Sequence, residues 1–291
     1  MAHQDMEPQL FALLRSAYAR LLEDVLALRA RRDSQPVVIG LCGAQGSGKS
    51  TLTRVLQAAL RDDHALAVAV ISLDDLYLPS RERARLAENV HALLRTRGVP
   101  GTHDVGLGVE VIQRLRSASA EGVTRLPRFD KAVDEPLPSD QWPLFQGRAD
   151  VVLFEGWCVG AREQDPADLL APINALEREY DADCGWRRYV NAQLAGPYRG
   201  LFGLIDRLVM LRAPGFEVVY EWRRQQEHEL AQRVRQAGGS SPLRVMSDAQ
   251  LLRFVMHYER LTRHILAEMP GRADVLVTLD ARRNIVALER R

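Results

Sequence analysis

The stretch with the most specific chemistry in the sequence is "GAQGSGKST", Gly43 to Thr51. It satisfies G-x-x-x-x-G-K-[ST] and lies between an apolar run and a helical pattern, the context in which that motif works. Glycines let the backbone curl until several N–H groups point inward and form a nest for an anion. The helix that follows adds the positive end of its dipole. Gly43, Ala44, Gln45, Gly46, Ser47 and Gly48 would wrap the phosphates of a nucleotide, with Lys49 reaching the outer ones. The Ser50 hydroxyl is placed to take a position on Mg²⁺, and Thr51 either to support the groups around it or to contact the phosphate nearest the ribose.

Acids end two other apolar runs. "VVLFEGW" closes on Glu155, a candidate to hold Mg²⁺ through water or to polarise water near the outer phosphate. Its plainer alternative is a helix cap or an arginine's partner. "VISLDDLYLP" ends in Asp74 and Asp75, and carboxylates beside a core need a partner or a use. In an open parallel sheet, ligands bind beyond the carboxyl ends of the strands. Asp74 should then face the same crevice as the glycine loop, where a carboxylate can take a proton from an acceptor hydroxyl. Asp75 is either a cap for the next helix or a further contact to the metal.

These groups exclude some classes of nucleotide-binding protein. No N-K-x-D guanine reader is present, and neither is a signature motif or oligomer-forming module of a motor or transporter subunit. Two readings remain, a small-molecule kinase using Mg-ATP and a nucleotide switch without a small acceptor. Phosphoryl transfer is mainly positioning and charge stabilisation with a carboxylate receiving the hydroxyl proton. The kinase reading gives Asp74 a task that the switch leaves undone.

Such residues need a scaffold, and the pattern supplies one. Apolar positions at helical spacing over 7–32 predict an amphipathic helix, then "QPVVIGLCG" a buried strand. Helices are predicted over 49–61, 81–95, 108–121, 166–179, 182–195, 215–237 and 247–267. "ALAVAVISL", "ADVVLFEGW" and "DRLVMLRA" read as further strands, and "ADVLVTLDARRNIVALERR" as a last strand, a turn and a short strand. The proline-rich stretch 124–147 reads as a long irregular connection, a kind that usually has a function. Strands separated by helices imply a doubly wound, mostly parallel sheet. The expected fold is α/β, a P-loop NTPase-type three-layer α/β/α arrangement with a helical lid. One domain is expected, with 1–35 as a helical extension, 36–291 as the core and the lid around 215–245.

Composition narrows the partners. A net charge of +1 offers no attraction to nucleic acid or an anionic membrane. Cys42, Cys158 and Cys184 lie far apart, without metal-ligand spacing, and suit a reducing compartment. The first 32 residues carry charges throughout, unlike a signal peptide, and no run has the length of a membrane span. A cytoplasmic protein is the expectation, with its oligomeric state open.

The series "GAQGSGKST", "SLDDLYLP", "LLRTRGVPGTHDVGL", "LPRFDKAVDEPLP", "WPLFQGRADVVLFEGWCVG" and "EWRRQQEHEL" resembles the plant- and fungal-type glycerate kinases. Those belong to a wider group with phosphoribulokinase, uridine kinase and pantothenate kinase. The resemblance runs over roughly residues 36–288, and its narrower marks are "GTHD", "PRFDK" and "FEGWCVG". It implies ATP-dependent phosphorylation of D-glycerate to 3-phosphoglycerate, with ATP and Mg²⁺ as cofactors and a small hydroxy acid as acceptor. Such an acid needs cationic donors. Arg128 is the first candidate, with Lys131 behind it, unless Arg128 simply pairs with Asp130. His103 and Asp104 either hold hydroxyl groups or order their loop, and Tyr77 either lines the pocket or packs. Among the arginines of "EWRRQQEHELAQRVRQ", Arg223 is favoured to fold over the phosphates. "LDARRNI" resembles the segment that borders the adenine in related kinases.

Overall fold

The computed structural model of the protein describes residues 8–32, 35–236 and 246–291. Helix α1 (Pro8–Ala30) precedes strand β1 (Val37–Gly43), whose seven residues are all buried. Strand β1 runs through the glycine loop into α2 (Lys49–Asp62), and β2 (Val68–Ser72) follows. Then come α3 (Ser80–Asn89) and α4 (Val105–Ser117). Four short strands succeed them: β3 (Val123–Arg125), β4 (Phe129–Asp130), β5 (Glu135–Pro136) and β6 (Leu144–Gln146). Next are β7 (Val151–Gly156), α5 (Ala175–Tyr180), α6 (Gly185–Gln193), α7 (Arg199–Phe202) and β8 (Arg207–Arg212). The long helices α8 (Phe216–Gln236) and α9 (Asp248–Glu268) lead to β9 (Val275–Leu279) and β10 (Ile285–Arg290).

The central sheet has the order β10-β9-β8-β1-β7-β2, parallel except for the β10 edge. Alternation along β1 sorts the core into two faces, because successive side chains point opposite ways. Val38 and Cys42 pack with Ile112 and Leu115 of α4 and with Leu261 and Ile265 of α9. Val37, Ile39 and Leu41 pack with Leu21 and Val25 of α1, Leu52 and Leu56 of α2, and Trp222 of α8. The result is the three-layer α/β/α fold that the strand and helix alternation predicts.

Differences from the sequence reading have local causes. The stretch 124–147 is not irregular throughout, since β3 pairs with β6 and β4 with β5, both antiparallel. Strands of two or three residues are too short for alternation to announce them. Asp74 is not the last residue of a strand but sits in a 3-10 turn, Leu73–Leu76, that follows β2. The helical readings over 81–95 and 166–179 break into shorter pieces, and that over 182–195 runs as α6 into a π turn at Leu194–Tyr198 that contains Pro197. Part of the expected lid, 237–245, lies outside the described residues, as does the side chain of Arg233 and that of Arg235. Among the described residues no helix is long and apolar enough to cross a membrane.

Candidate active site

The phosphate loop has the backbone its glycines allow. Gly46 and Gly48 adopt φ of 79° and 86°, in the left-handed region that side chains resist. At Gly46 there is a second constraint, because a Cβ would stand 2.7 Å from Cβ of Trp222 on α8. Helix α8 therefore rests directly on the loop. Trp222 donates from its indole to Ala281 at 2.8 Å, and Arg283 donates to the Gly46 carbonyl at 2.7 Å. The segment "LDARRNI" thus sits beside the glycine loop. Between them and α1 lies a cavity of about 180 Å³, lined by Tyr18, Ser47, Gly48, Thr51, Leu279 and Ile285. The Ser47 hydroxyl there is buried without a hydrogen-bond partner.

Strand register brings the acids to the same end of the sheet. Glu155 on β7 lies level with Leu41 of β1 and Ser72 of β2. The Ser72 side chain hydrogen-bonds Glu155, and its oxygen accepts the Asp74 amide at 3.3 Å. Ser72 thereby ties the two acids together, a link that sequence reasoning missed because a serine ending a strand carries no signature. Burial raises the Glu155 pKa, with the Lys49 charge and the Ser72 bond opposing. One Glu155 oxygen, Oε2, is buried with no hydrogen-bond partner. For Asp74, burial works upward, but the charges of Lys131 and Lys49 and the Lys131 hydrogen bond prevail, holding it down to about 2. The charge of Lys49 thus acts on both acids.

Asp74 and Asp75 have separate partners. Lys131 donates to Asp74 Oδ2 at 2.6 Å, and Tyr77 donates to Oδ1 at 3.1 Å. Asp75 accepts from Arg128 at 3.2 Å and from the Phe129 amide at 3.1 Å, while burial leaves its pKa raised overall. Asp75 therefore does not cap the helix beginning at Ser80, and Arg128 pairs with Asp75 rather than Asp130. Both cations come from β4 and the residues flanking it, so the small β4–β5 hairpin is pinned onto the acid pair. Its far side is pinned as well: Asp134 pairs with Arg83 and Arg97, and Glu135 accepts from Ser80.

The "GTHD" loop is zipped alongside. Leu78 donates to the Thr102 carbonyl at 3.0 Å, Asp104 to the Leu76 carbonyl at 2.7 Å, and Tyr77 forms a bridge with His103. The His103 ring stacks on Tyr77 with centres 4.4 Å apart, and its Nδ1 lies 2.6 Å from the Tyr198 hydroxyl. Burial drives the His103 pKa down to about 3 against the charge of Asp74, so the ring is neutral at ordinary pH. His103 is therefore neither a surface group nor a cap. Its Nε2 is buried and unpaired. Asp104 is exposed and caps α4 by accepting from Leu107 at 2.9 Å, which leaves loop ordering as its observed task.

Arg223 has partners on its own helix and on α9. It pairs with Glu227 at 2.8 Å and lies over the Phe254 ring at 5.7 Å. Its position one residue beyond Trp222, which touches Gly46, sets it on the α9 side of the helix. The structure thus brings together the phosphate loop, Glu155, Asp74, Asp75, Tyr77, His103, Arg128 and Lys131, while Asp104 caps α4 and Arg223 is engaged by Glu227.

The donors suit magnesium. Mg²⁺ takes oxygen ligands and keeps several waters, so one or two carboxylates suffice. Glu155 offers a buried oxygen without a partner, and the Ser50 hydroxyl stands at the exposed first turn of α2. The thiols do not compete for such a role: Cys42 is pushed up to about 12 by burial, and burial also raises Cys158.

No protein-family model matches the chain. It is 34% identical over 240 residues to an uncharacterized kinase, mug58, of Schizosaccharomyces pombe, covering 80% of this chain and 82% of that one. It is 31% identical over 290 residues to the chloroplastic D-glycerate 3-kinase of Arabidopsis thaliana, covering 90% of this chain. The match spans 58% of that plant protein's length. In structure it is similar to a D-glycerate 3-kinase of Cryptococcus neoformans, with a TM-score of 0.76 at 26% identity, covering 94% and 99% of the two chains.

Proposed function

The chain belongs to the plant- and fungal-type D-glycerate kinase family of P-loop kinases, and from that premise we propose that its acceptor is D-glycerate. The γ-phosphate of ATP would pass to the distal hydroxyl, giving 3-phosphoglycerate and ADP. One observation carries the reading beyond a bare nucleotide site. The charge of Lys49 acts on both Asp74 and Glu155, and Asp74 stands within a cluster of rings and cations suited to an acidic acceptor.

Each group then has a task. The loop Gly43–Thr51 and the first turn of α2 bind the phosphates through inward N–H groups, and Lys49 neutralises the oxygens that gain charge in transfer. Ser50 and Glu155 would hold Mg²⁺, whose positive charge would offset the negative charge that builds on the phosphates. Asp74 receives the hydroxyl proton. A carboxylate held near pH 2 is a weak base, but the proton leaves late in a loose transfer, so weak basicity suffices. His103, neutral and with Nε2 unpaired, is suited to hydrogen-bond an acceptor hydroxyl. Arg128 and Lys131 would exchange Asp75 and Asp74 for ligand oxygens, with Tyr77 as the wall behind them. Arg223 would have to leave Glu227 to reach the phosphates. The adenine is assigned to the cavity bordered by Thr51, Leu279 and Ile285, and the chain is expected to work in the cytoplasm.

The test is ADP release from ATP across D-glycerate, pantothenate, uridine and L-lactate, which lacks the distal hydroxyl. Stimulation by D-glycerate with 3-phosphoglycerate as product is expected. Stimulation by pantothenate or uridine instead would move the acceptor assignment. ATP-dependent partner binding without any acceptor would favour the switch.

A further inference from the structure

One cation beside the acceptor cluster has no role in that scheme. Arg97 opens the "RGVPGTHD" loop, and its guanidinium lies 6.0 Å from the centre of the Tyr77 ring and 5.5 Å from that of Phe129. Its Nη1 donates to Asp134 on the hairpin, and among the described residues its Nε and Nη2 donate to nothing. The loop that carries it is fixed. The Arg97 carbonyl accepts from the Tyr258 hydroxyl at 3.1 Å, and Trp157 donates to the Gly98 carbonyl at 3.0 Å.

The neighbouring cations are occupied differently. Arg128 and Lys131 contact Asp75 and Asp74, so each has to leave an acid before it can meet a ligand. Arg83 is buried, with its donors on Leu78, Arg95 and Asp134. His103 carries no charge at ordinary pH. Arg97, paired with Asp134 through Nη1, therefore lies over an aromatic floor with its other edge free of hydrogen bonds, and it touches neither Asp74 nor Asp75.

We propose that Arg97 selects an acidic acceptor by binding its carboxylate on that free edge while the distal hydroxyl meets Asp74. The proposal rests on the acceptor reading above. Its geometry is consistent with a short acid. Tyr77 bridges the two ends, with its ring 6.0 Å from the guanidinium and its hydroxyl 3.1 Å from Asp74. With a phenol's own dimensions included, the guanidinium and the carboxylate stand no more than about 12 Å apart. A three-carbon hydroxy acid spans roughly 5 Å, and a hydrogen bond at each end adds roughly 3 Å. A planar fork also recognises a carboxylate through paired N–H groups, which an ammonium cannot reproduce.

Steady-state kinetics of the full chain test this with D-glycerate and its neutral amide, D-glyceramide. In Arg97→Gln the KM for D-glycerate should rise about a hundredfold while kcat and the KM for ATP stay near wild type. Preference for the acid over the amide should collapse by a similar factor, and Arg97→Lys should fall between. Asp134→Asn serves as the control for a merely structural role, since it loosens the hairpin but leaves the guanidinium, and its KM for D-glycerate should stay near wild type. Equal losses on acid and amide, or an Asp134→Asn variant as impaired as Arg97→Gln, would overturn the proposal. Should wild type phosphorylate neither compound, the acceptor reading falls separately. Calorimetry of D-glycerate binding to the complex with a non-hydrolysable ATP analogue then decides: loss of binding in Arg97→Gln sustains the proposal. Binding unchanged, or absent from wild type, sinks it.

Discussion

Two clusters of charge in the molecule look alike in composition and differ in how far they open to solvent, although the buried one also leaves Arg187 Nη1 without a hydrogen-bond partner. In the helical region, Arg187 and Arg260 meet Glu177 and Asp181. Arg187 Nε donates to Asp181 at 2.8 Å, and Arg260 donates twice to Glu177 at 2.7 Å. Asp181 also accepts the amides of Trp186 and Arg187, and both acids are fully buried. Although His91 and Asp183 approach Asp181 in a way that resembles a metal site, Asp181 is already engaged from three directions. Around Asp74, by contrast, the ion pairs are half open to solvent, Glu155 and His103 each keep an unpaired atom, and Arg97 keeps a free edge. The closed cluster holds helices together. The open one has valences left for a ligand.

The sharpest way to break this comparison is to remove one acid from the open cluster. Asp74→Asn should cut kcat by about a thousandfold, equal to about 4 kcal/mol, while ATP binding and the melting temperature stay near wild type. Normal turnover in that variant would deny Asp74 the proton. The closed cluster should respond in the opposite way. Arg187→Met leaves Asp181 and Glu177 short of a buried partner and should lower unfolding free energy by about 3 kcal/mol, read from a urea midpoint. The KM values of the folded protein should not move, and a catalytic defect without loss of stability would merge the two clusters into one.

The smallest effect is a shift in pH dependence. Lys131 is the foremost charge holding Asp74 down to about 2. In Lys131→Ala the Asp74 pKa should rise, since burial then meets less opposition. Asp74 must be ionised to take a proton, so the acid limb of kcat should move to higher pH. A limb that stays in place would show that Lys131 has already left Asp74 in the working complex. The same depressed pKa makes Asp74 a source of stability above its ordinary pKa near 3.8, lost as pH falls through about 2. That contribution should shrink in the variant.

How much of this was legible in the residues follows from the range of the interactions. The glycine loop is a local device, so its motif and flanking pattern suffice. Strand ends are also readable, because parallel strands deliver their carboxyl termini to one edge, and Glu155 and Asp74 meet there. What escaped depends on contacts between loops. Nothing periodic announces that Tyr77 bridges His103, that Tyr198 from a distant π turn meets the same histidine, or that Arg97 lies over Phe129. Arg128 shows the limit of reasoning from neighbours in the chain. Asp130, close in sequence, is the alternative partner that chain order suggests for it, but the hairpin carries Arg128 to Asp75. Arg223 shows another, since one residue along a helix is a large turn: Trp222 touches the phosphate loop while Arg223 turns toward Glu227.

The position of β1 in the sheet has a consequence for the order in which the molecule can be built. Ile39 pairs with Leu153 on one side and Arg207 on the other, so the strand leading into the glycine loop borrows both neighbours from far along the chain. Contacts of such long range form slowly, because a long loop must close before they give any return. The segments around Asp74 and His103 join over short loops and can close early. During synthesis, the acceptor side has its local frame well before β8 emerges, while the phosphate loop, earlier in the chain, waits for that strand to flank it. Nucleotide should therefore bind only to the nearly complete chain, which makes it a ligand that rewards the last steps of folding.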